Sequence, residues 1–91
     1  MYKFRLFVAS FNSPTSQQAI EDVKEFLNKY MPEIYSFSII DIVDDVECAR
    51  HKKIFATPVL IKVSPKPERR VFGSFSDPKK VLKSLGIKLD K

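Results

Sequence analysis

Lys53-Ile54-Phe55-Ala56-Thr57-Pro58-Val59-Leu60-Ile61-Lys62-Val63 decides how this chain is read. A short polar helix signal runs into a small-Thr-Pro turn and then into an apolar, β-branched run. Proline donates no ladder hydrogen bond, so the start of a strand is one of the few sheet positions it tolerates. A cis X–Pro bond costs only about 0.5–1 kcal/mol relative to trans. Thr57 and Pro58 are expected to form a turn leading into a strand at Val59–Val63, and its cis form is implied by resemblance to small α/β folds that place a cis proline just before a late strand.

The rest of the chain supplies partners for that strand. Tyr2 to Ala9 alternates apolar and polar residues and turns apolar on both faces at its far end, as an interior strand does. A loop follows at Ser10-Phe11-Asn12-Ser13-Pro14. Two N-caps are open for the next helix: Thr15 with Gln18 as a capping box, or Ser13 ahead of Pro14 at the first helical position. Ala19, Ile20, Val23, Phe26, Leu27, Tyr30 and Met31 then recur at helical spacing, and the helix ends near Met31-Pro32. Tyr35-Ser36-Phe37-Ser38-Ile39-Ile40-Asp41 alternates as a strand. A crossover helix between these two strands makes them parallel. Asp44 or Asp45 caps a short helix through about His51, acidic at its start and basic at its end as the helix dipole favours. After Val59–Val63, a turn at Ser64–Glu68 returns the chain as a strand from Arg69 to Phe75. Asp77 then caps a helix with Pro78 at its first position; Val81, Leu82 and Leu85 form its apolar stripe and Gly86 closes it.

The order β-α-β-α-β-β-α, with parallel strands first and a hairpin second, is an α/β thioredoxin-like arrangement on a four-stranded mixed sheet. At 91 residues the chain is expected to be one domain, 1–91. No apolar run approaches the roughly 18 residues of a membrane span, and the N-terminus has no uninterrupted signal-peptide segment. Cys48 is the single cysteine, so no internal disulfide forms and a reducing cytoplasm is the expected compartment.

Charge is unevenly placed. Residues 1–48 carry four Lys/Arg against eight Asp/Glu, and residues 49–91 carry twelve against three. A basic half suits an acidic partner surface or nucleic acid; it also suits a merely solvated surface. The basic residues interleave with Phe55, Phe72 and Phe75, but phenylalanines at strand spacing are expected on the core side, which argues against a stacking surface. No nucleic-acid partner is expected.

Chemistry is missing where this fold would carry it. A thioredoxin-like redox enzyme needs a cysteine at the start of its first helix, where the helix terminus lowers the thiol pKa. Ser10-Phe11-Asn12-Ser13-Pro14-Thr15 holds that place. Cys48 lies in the second helix without a partner cysteine and reads as packing. His51 is the only histidine, and no set of residues has metal-ligand spacing. With Gly73 and Gly86 the only glycines, there is no phosphate-cradling loop. No catalytic, cofactor or metal residues are assigned, and the chain reads as a non-enzymatic binding protein.

Specific segments point to one family. Leu6-Phe7-Val8-Ala9, Ser13-Pro14-Thr15-Ser16, Ile40-Asp41 with Val43, Lys53–Pro58, and Arg69-Arg70-Val71-Phe72-Gly73-Ser74-Phe75-Ser76-Asp77 together resemble the KaiB family of cyanobacterial clock components and their homologues. The resemblance runs from about residue 4 to 85. It implies a metamorphic protein whose second half adopts two arrangements: a ground state, β-α-β-β-α-α-β and commonly tetrameric, and a thioredoxin-like monomer. Coexistence requires that the two packings differ by only a few kcal/mol, and about 2.7 kcal/mol suffices for a 99:1 preference. The helix start at Asp77-Pro78 and the β-branched Val59–Val63 run favour the thioredoxin-like monomer here.

The resemblance further implies a partner, a KaiC-type ATPase ring, and a role in circadian timing in which KaiA is sequestered and a SasA-like kinase displaced. It places Lys53, Arg69 and Arg70 at partner-binding positions, and Phe72, Gly73 and Asp77 in the segment whose environment changes on switching. Departures include Gln18 in place of an arginine, Asp44-Asp45-Val46 in place of a Lys-Asn-Pro-like turn, and Arg50-His51-Lys52 in place of an acidic stretch. The acidic tail of clock KaiB is not expected in this chain. A divergent homologue acting in stress or signalling outside a clock is the alternative function.

Overall fold

A computed structural model describes residues 2–31 and 35–87. Pro32, at the expected end of the first helix, lies outside the described residues, as does Lys91. The elements are β1 (Tyr2–Val8), α1 (Pro14–Tyr30), β2 (Tyr35–Asp41), α2 (Val46–His51), β3 (Val59–Ser64), β4 (Arg69–Phe72) and α3 (Pro78–Ser84). The strands form one sheet in the order β2-β1-β3-β4. β1 is interior, parallel to β2 and antiparallel to β3, and β3 is antiparallel to β4. This is the thioredoxin-like order read from the sequence. None of the described helices is long and apolar enough to cross a membrane.

Side-chain polarity explains each boundary. Ser13 is the N-cap of α1: its hydroxyl oxygen accepts from Ser16 N at 3.0 Å, with Pro14 at the first helical position. The Thr15 alternative is therefore not used. Asp45, rather than Asp44, caps α2 by accepting from Cys48 N, and Asp77 caps α3 by accepting from Lys80 N.

The two faces of the sheet are covered unequally. Phe4, Leu6, Val8 and Leu60 face α1 and α3 and join Val23, Phe26, Leu27, Leu82 and Leu85 in the main core. The opposite face holds a smaller cluster, Phe7, Val59 and Ile61, with Ile40, Cys48 and Ile54 packed against it. α2 is only six residues long and is the helix on that side. Cys48 is half-buried there, a packing residue as its sequence context suggested.

Two sequence expectations need correction. β4 ends at Phe72, not Phe75, because Gly73 takes φ +84° and turns the chain out of the ladder. Its amide still donates to Pro58 O at 3.1 Å, which ties the strand end to the start of β3. The three phenylalanines of the basic half also do not share a core environment. Phe75 is buried, but Phe55 is 89% and Phe72 54% exposed. Phe72 pairs with Val59 and so faces the thinly covered side of the sheet. Phe55 precedes β3 in a loop and is in no strand at all.

Gly73 has open space where a Cβ would stand, so replacing it tests the backbone alone. Gly73→Ala is expected to cost about 1–2 kcal/mol, the penalty for a left-handed residue that carries a Cβ, read as a lower urea midpoint with an unchanged slope.

Candidate functional site: the loop end of the sheet

The carboxyl ends of β1, β2 and β4 and the amino end of β3 meet at one end of the sheet. Every large apolar side chain exposed among the described residues comes from that end: Phe11, Val43, Val46, Phe55 and Phe72. Loops collect there because β1 and β2 run parallel, so both deliver their following segments to the same pole.

Asp41 organises one side of this pole. It is 8% exposed at the end of β2. Its carboxylate accepts from Phe11 N at 3.0 Å through one oxygen and from Val43 N at 2.8 Å through the other. Its backbone carbonyl accepts from Asp44 N and Asp45 N, launching α2. One side chain thus fixes the β1–α1 loop and the β2–α2 turn together through the Phe11 and Val43 amides. In the sequence Asp41 reads only as the polar end of an alternating strand, and no motif marks the amides it gathers.

Arg70 organises the other side. Its guanidinium donates to Lys52 O at 2.5 Å and to Lys53 O at 3.3 Å, the carbonyls at the end of α2. Glu68 lies 3.7 Å from Arg70 and 3.6 Å from the Lys52 amine. α2 ends in a Schellman turn: Lys53 N donates to Arg50 O and Ile54 N to Ala49 O. Lys53 occupies the left-handed position of that turn, φ +55°, where glycine is usual. α3 ends the same way with Gly86 at φ +77°, Gly86 N donating to Lys83 O and Ile87 N to Leu82 O.

The partner-binding positions implied by resemblance therefore separate in space. Lys53 and Arg70 adjoin on the α2 face. Arg69 points to the opposite face: a Cβ at Gly86 would stand 3.9 Å from Arg69 Nε and 4.0 Å from Lys62 Nζ. Both cations sit beside the carboxyl end of α3, the negative end of its dipole. Phe72 and Gly73 fall at the pole, whereas Asp77 is engaged as the α3 cap.

Thr57–Pro58 is a cis bond. Pro58, Pro14, Thr15, Ala19, Ser74 and Phe75 line a groove of about 550 Å³ between α1 and the segment after β4. Pro14 at the start of α1 lines this groove, Ser13 caps the helix just before it, and no cysteine is present there; Gln18 on the groove wall is bonded to Asp22 at 2.9 Å. No cluster of three potential metal ligands occurs among the described residues.

A family model described as the KaiB domain matches residues 5–87. The chain belongs to the KaiB family. It is 38% identical to the circadian clock oscillator protein KaiB of Prochlorococcus marinus subsp. pastoris, across 98% of this chain and 82% of that one. It is 36% identical to the clock oscillator protein KaiB1 of Synechocystis, across 98% and 84%. Among solved structures it is similar to the N-terminal domain of Synechococcus elongatus SasA, with a TM-score of 0.74 at 22% identity over 93% of this chain and 83% of that one. It is also similar to mitochondrial thioredoxin 3 of Saccharomyces cerevisiae, with a TM-score of 0.69 at 14% identity over 93% and 76%. These two likenesses establish the thioredoxin-like fold.

Asp41→Ala is expected to lower stability by about 2–4 kcal/mol through loss of two hydrogen bonds to a charged acceptor, with Asp41→Asn losing roughly half, by urea unfolding. Lys53→Gly should instead stabilise the protein by about 0.5–1 kcal/mol, the relieved left-handed strain less the entropy glycine costs, seen as a raised Tm.

Proposed function

We propose that this KaiB-family chain is a non-enzymatic interaction module that binds a KaiC-type ATPase ring through its second half and acts in circadian timing. The observation that carries the reading is the loop end itself. It presents apolar and basic side chains on a thioredoxin-like scaffold, with serine and proline in place of the redox thiol. Such a surface suits recognition of a protein. The relatives are clock oscillator proteins along nearly the whole of this chain, which supports the clock setting.

Lys53 is the ring-contacting cation in this proposal. The left-handed turn lifts it clear of α2, and it takes no part in the three ion pairs found among the described residues. Arg70 acts behind it, holding the carbonyl of Lys53 in place. Arg69 extends the basic surface on the α3 side. A SasA-like sensory domain of the same fold would compete for the same ring surface, and KaiA would be captured by the assembled complex. The module acts in the cytoplasm as a monomer in the thioredoxin-like form. Its ground-state form, where populated, would be the tetramer implied by the family, with Phe72, Gly73 and Asp77 in the segment that is rebuilt.

A second reading has one observation in its favour. Asp44-Asp45 and Arg50-His51-Lys52 reverse the charge usual around this surface in the family, and Gln18 is tied to Asp22. A divergent homologue serving stress or signalling would carry such changes for a different partner. Size-exclusion chromatography of the chain mixed with a KaiC-type ring at moderate salt separates the two. Comigration is expected, and Lys53→Glu should abolish it; failure to comigrate would shift the function to the divergent reading.

A further inference from the structure

Phe55 and Phe72 are the aromatic side chains left without cover on the α2 face, and the structure gives a reason for their placement. Arg70 and Phe72 are two residues apart on β4 and so point to the same face of the sheet. Arg70 is bonded to the carbonyls of Lys52 and Lys53, and Phe55 follows Lys53 by two residues. Each phenylalanine therefore lies two residues from one end of the same side-chain link. α2 closes at His51, too early to shield either ring. Neither ring joins an aromatic pair among the described residues.

Cations border this pair. Arg50, Lys52, Lys53 and Arg70 stand around the end of α2, and the nearby carboxylates, Glu47 and Glu68, are already engaged with Arg50, Lys52 and Arg70. The acidic residues Asp44 and Asp45 lie at the far end of α2. Apolar rings ringed by positive charge have a defined complement: an apolar socket with carboxylates on its rim.

We propose that Phe55 and Phe72 are the apolar anchors of the docking surface, and that the partner is a protein presenting an acidic-rimmed apolar socket to them. The inference rests on the ring-binding reading given above and names the chemistry of the site that reading uses. It assigns binding strength to the two rings and assigns to the surrounding cations orientation and rate of encounter. Anchors of this kind are buried at the centre of an interface, where salt cannot screen them, whereas exposed rim charges weaken with ionic strength.

The experiment compares wild type, Phe55→Ser, Phe72→Ser and Arg50→Glu for binding to a KaiC-type ring by biolayer interferometry, at low and high salt. Phe55 is so exposed that its replacement leaves folding intact, which a thermal melt verifies. Each serine variant is expected to weaken binding by about tenfold or more at both salt concentrations, while Arg50→Glu weakens it at low salt and converges toward wild type at high salt. Wild-type binding that survives both serine substitutions would overturn the anchor role and leave ring binding standing. Absence of wild-type binding would overturn the ring reading and the anchors with it. A parallel titration with the single-stranded oligonucleotide dT20 covers stacking of bases on the rings. Binding of dT20 that is lost in the serine variants and falls steeply with salt would overturn the acidic-protein assignment in favour of nucleic acid.

Discussion

The second half of this protein depends on the link from Arg70 to the last carbonyls of α2. A helix of six residues has little stability of its own, because nucleation consumes most of what so few hydrogen bonds return. Asp45 satisfies its first turn and the Schellman turn its last, but neither attaches it to the sheet. Arg70 does. Its guanidinium reaches from β4 to the carbonyl of the C-cap Lys52 and that of Lys53 just beyond it, and Glu68 balances the charge. Ile54 and Cys48 then seal the small cluster over Phe7, Val59 and Ile61.

What that link leaves uncovered is as consequential as what it holds. α1, at 17 residues, and α3 cover the centre of one face of the sheet, where Phe4, Leu6, Val8 and Leu60 are fully buried. α2 covers only part of the other face, so β4 ends with Phe72 in solvent. Asp41 and Arg70 each secure one side of the loop end through backbone groups, and each sets apolar side chains outward. A surface that spends its best polar contacts on fixing loops, and displays hydrophobic residues there, is organised for contact with another molecule. In thioredoxin-like enzymes the same end of the sheet carries a reactive thiol at the start of the first helix; here a serine cap and a proline stand at the start of α1.

Periodicity made most of the scaffold legible. The alternation of Tyr2–Ala9 and Tyr35–Asp41, the stripe from Ala19 to Met31, and the cap at Asp77 are local signals, and local physics suffices to read them; the choice of Ser13 over Thr15 and of Asp45 over Asp44 needed the structure. The extent of β4 was not local. Val71, Gly73 and Phe75 alternate well enough for a longer strand, and only the left-handed turn at Gly73 cuts it short. The environment of Phe55 and Phe72 could not be read from spacing, since burial there depends on how far a short helix reaches across the sheet. The roles of Asp41 and Arg70 escaped for a related reason: their partners are backbone groups, which carry no residue-type signature. Neighbouring Arg69 and Arg70 look like one basic site in sequence, yet the pleat sends them to opposite faces.

The thioredoxin-like order makes one central claim: residues 46–87 rest as helix, strand, strand, helix, with the loop end of the sheet already formed. Carbon secondary chemical shifts of the free protein in solution test this most directly. The account requires helical shifts at 46–51 and 78–84 and extended shifts at 59–64 and 69–72. Extended shifts at 78–84, with helical values in the stretch that here forms β3 and β4, would contradict it and place the resting chain in the other arrangement.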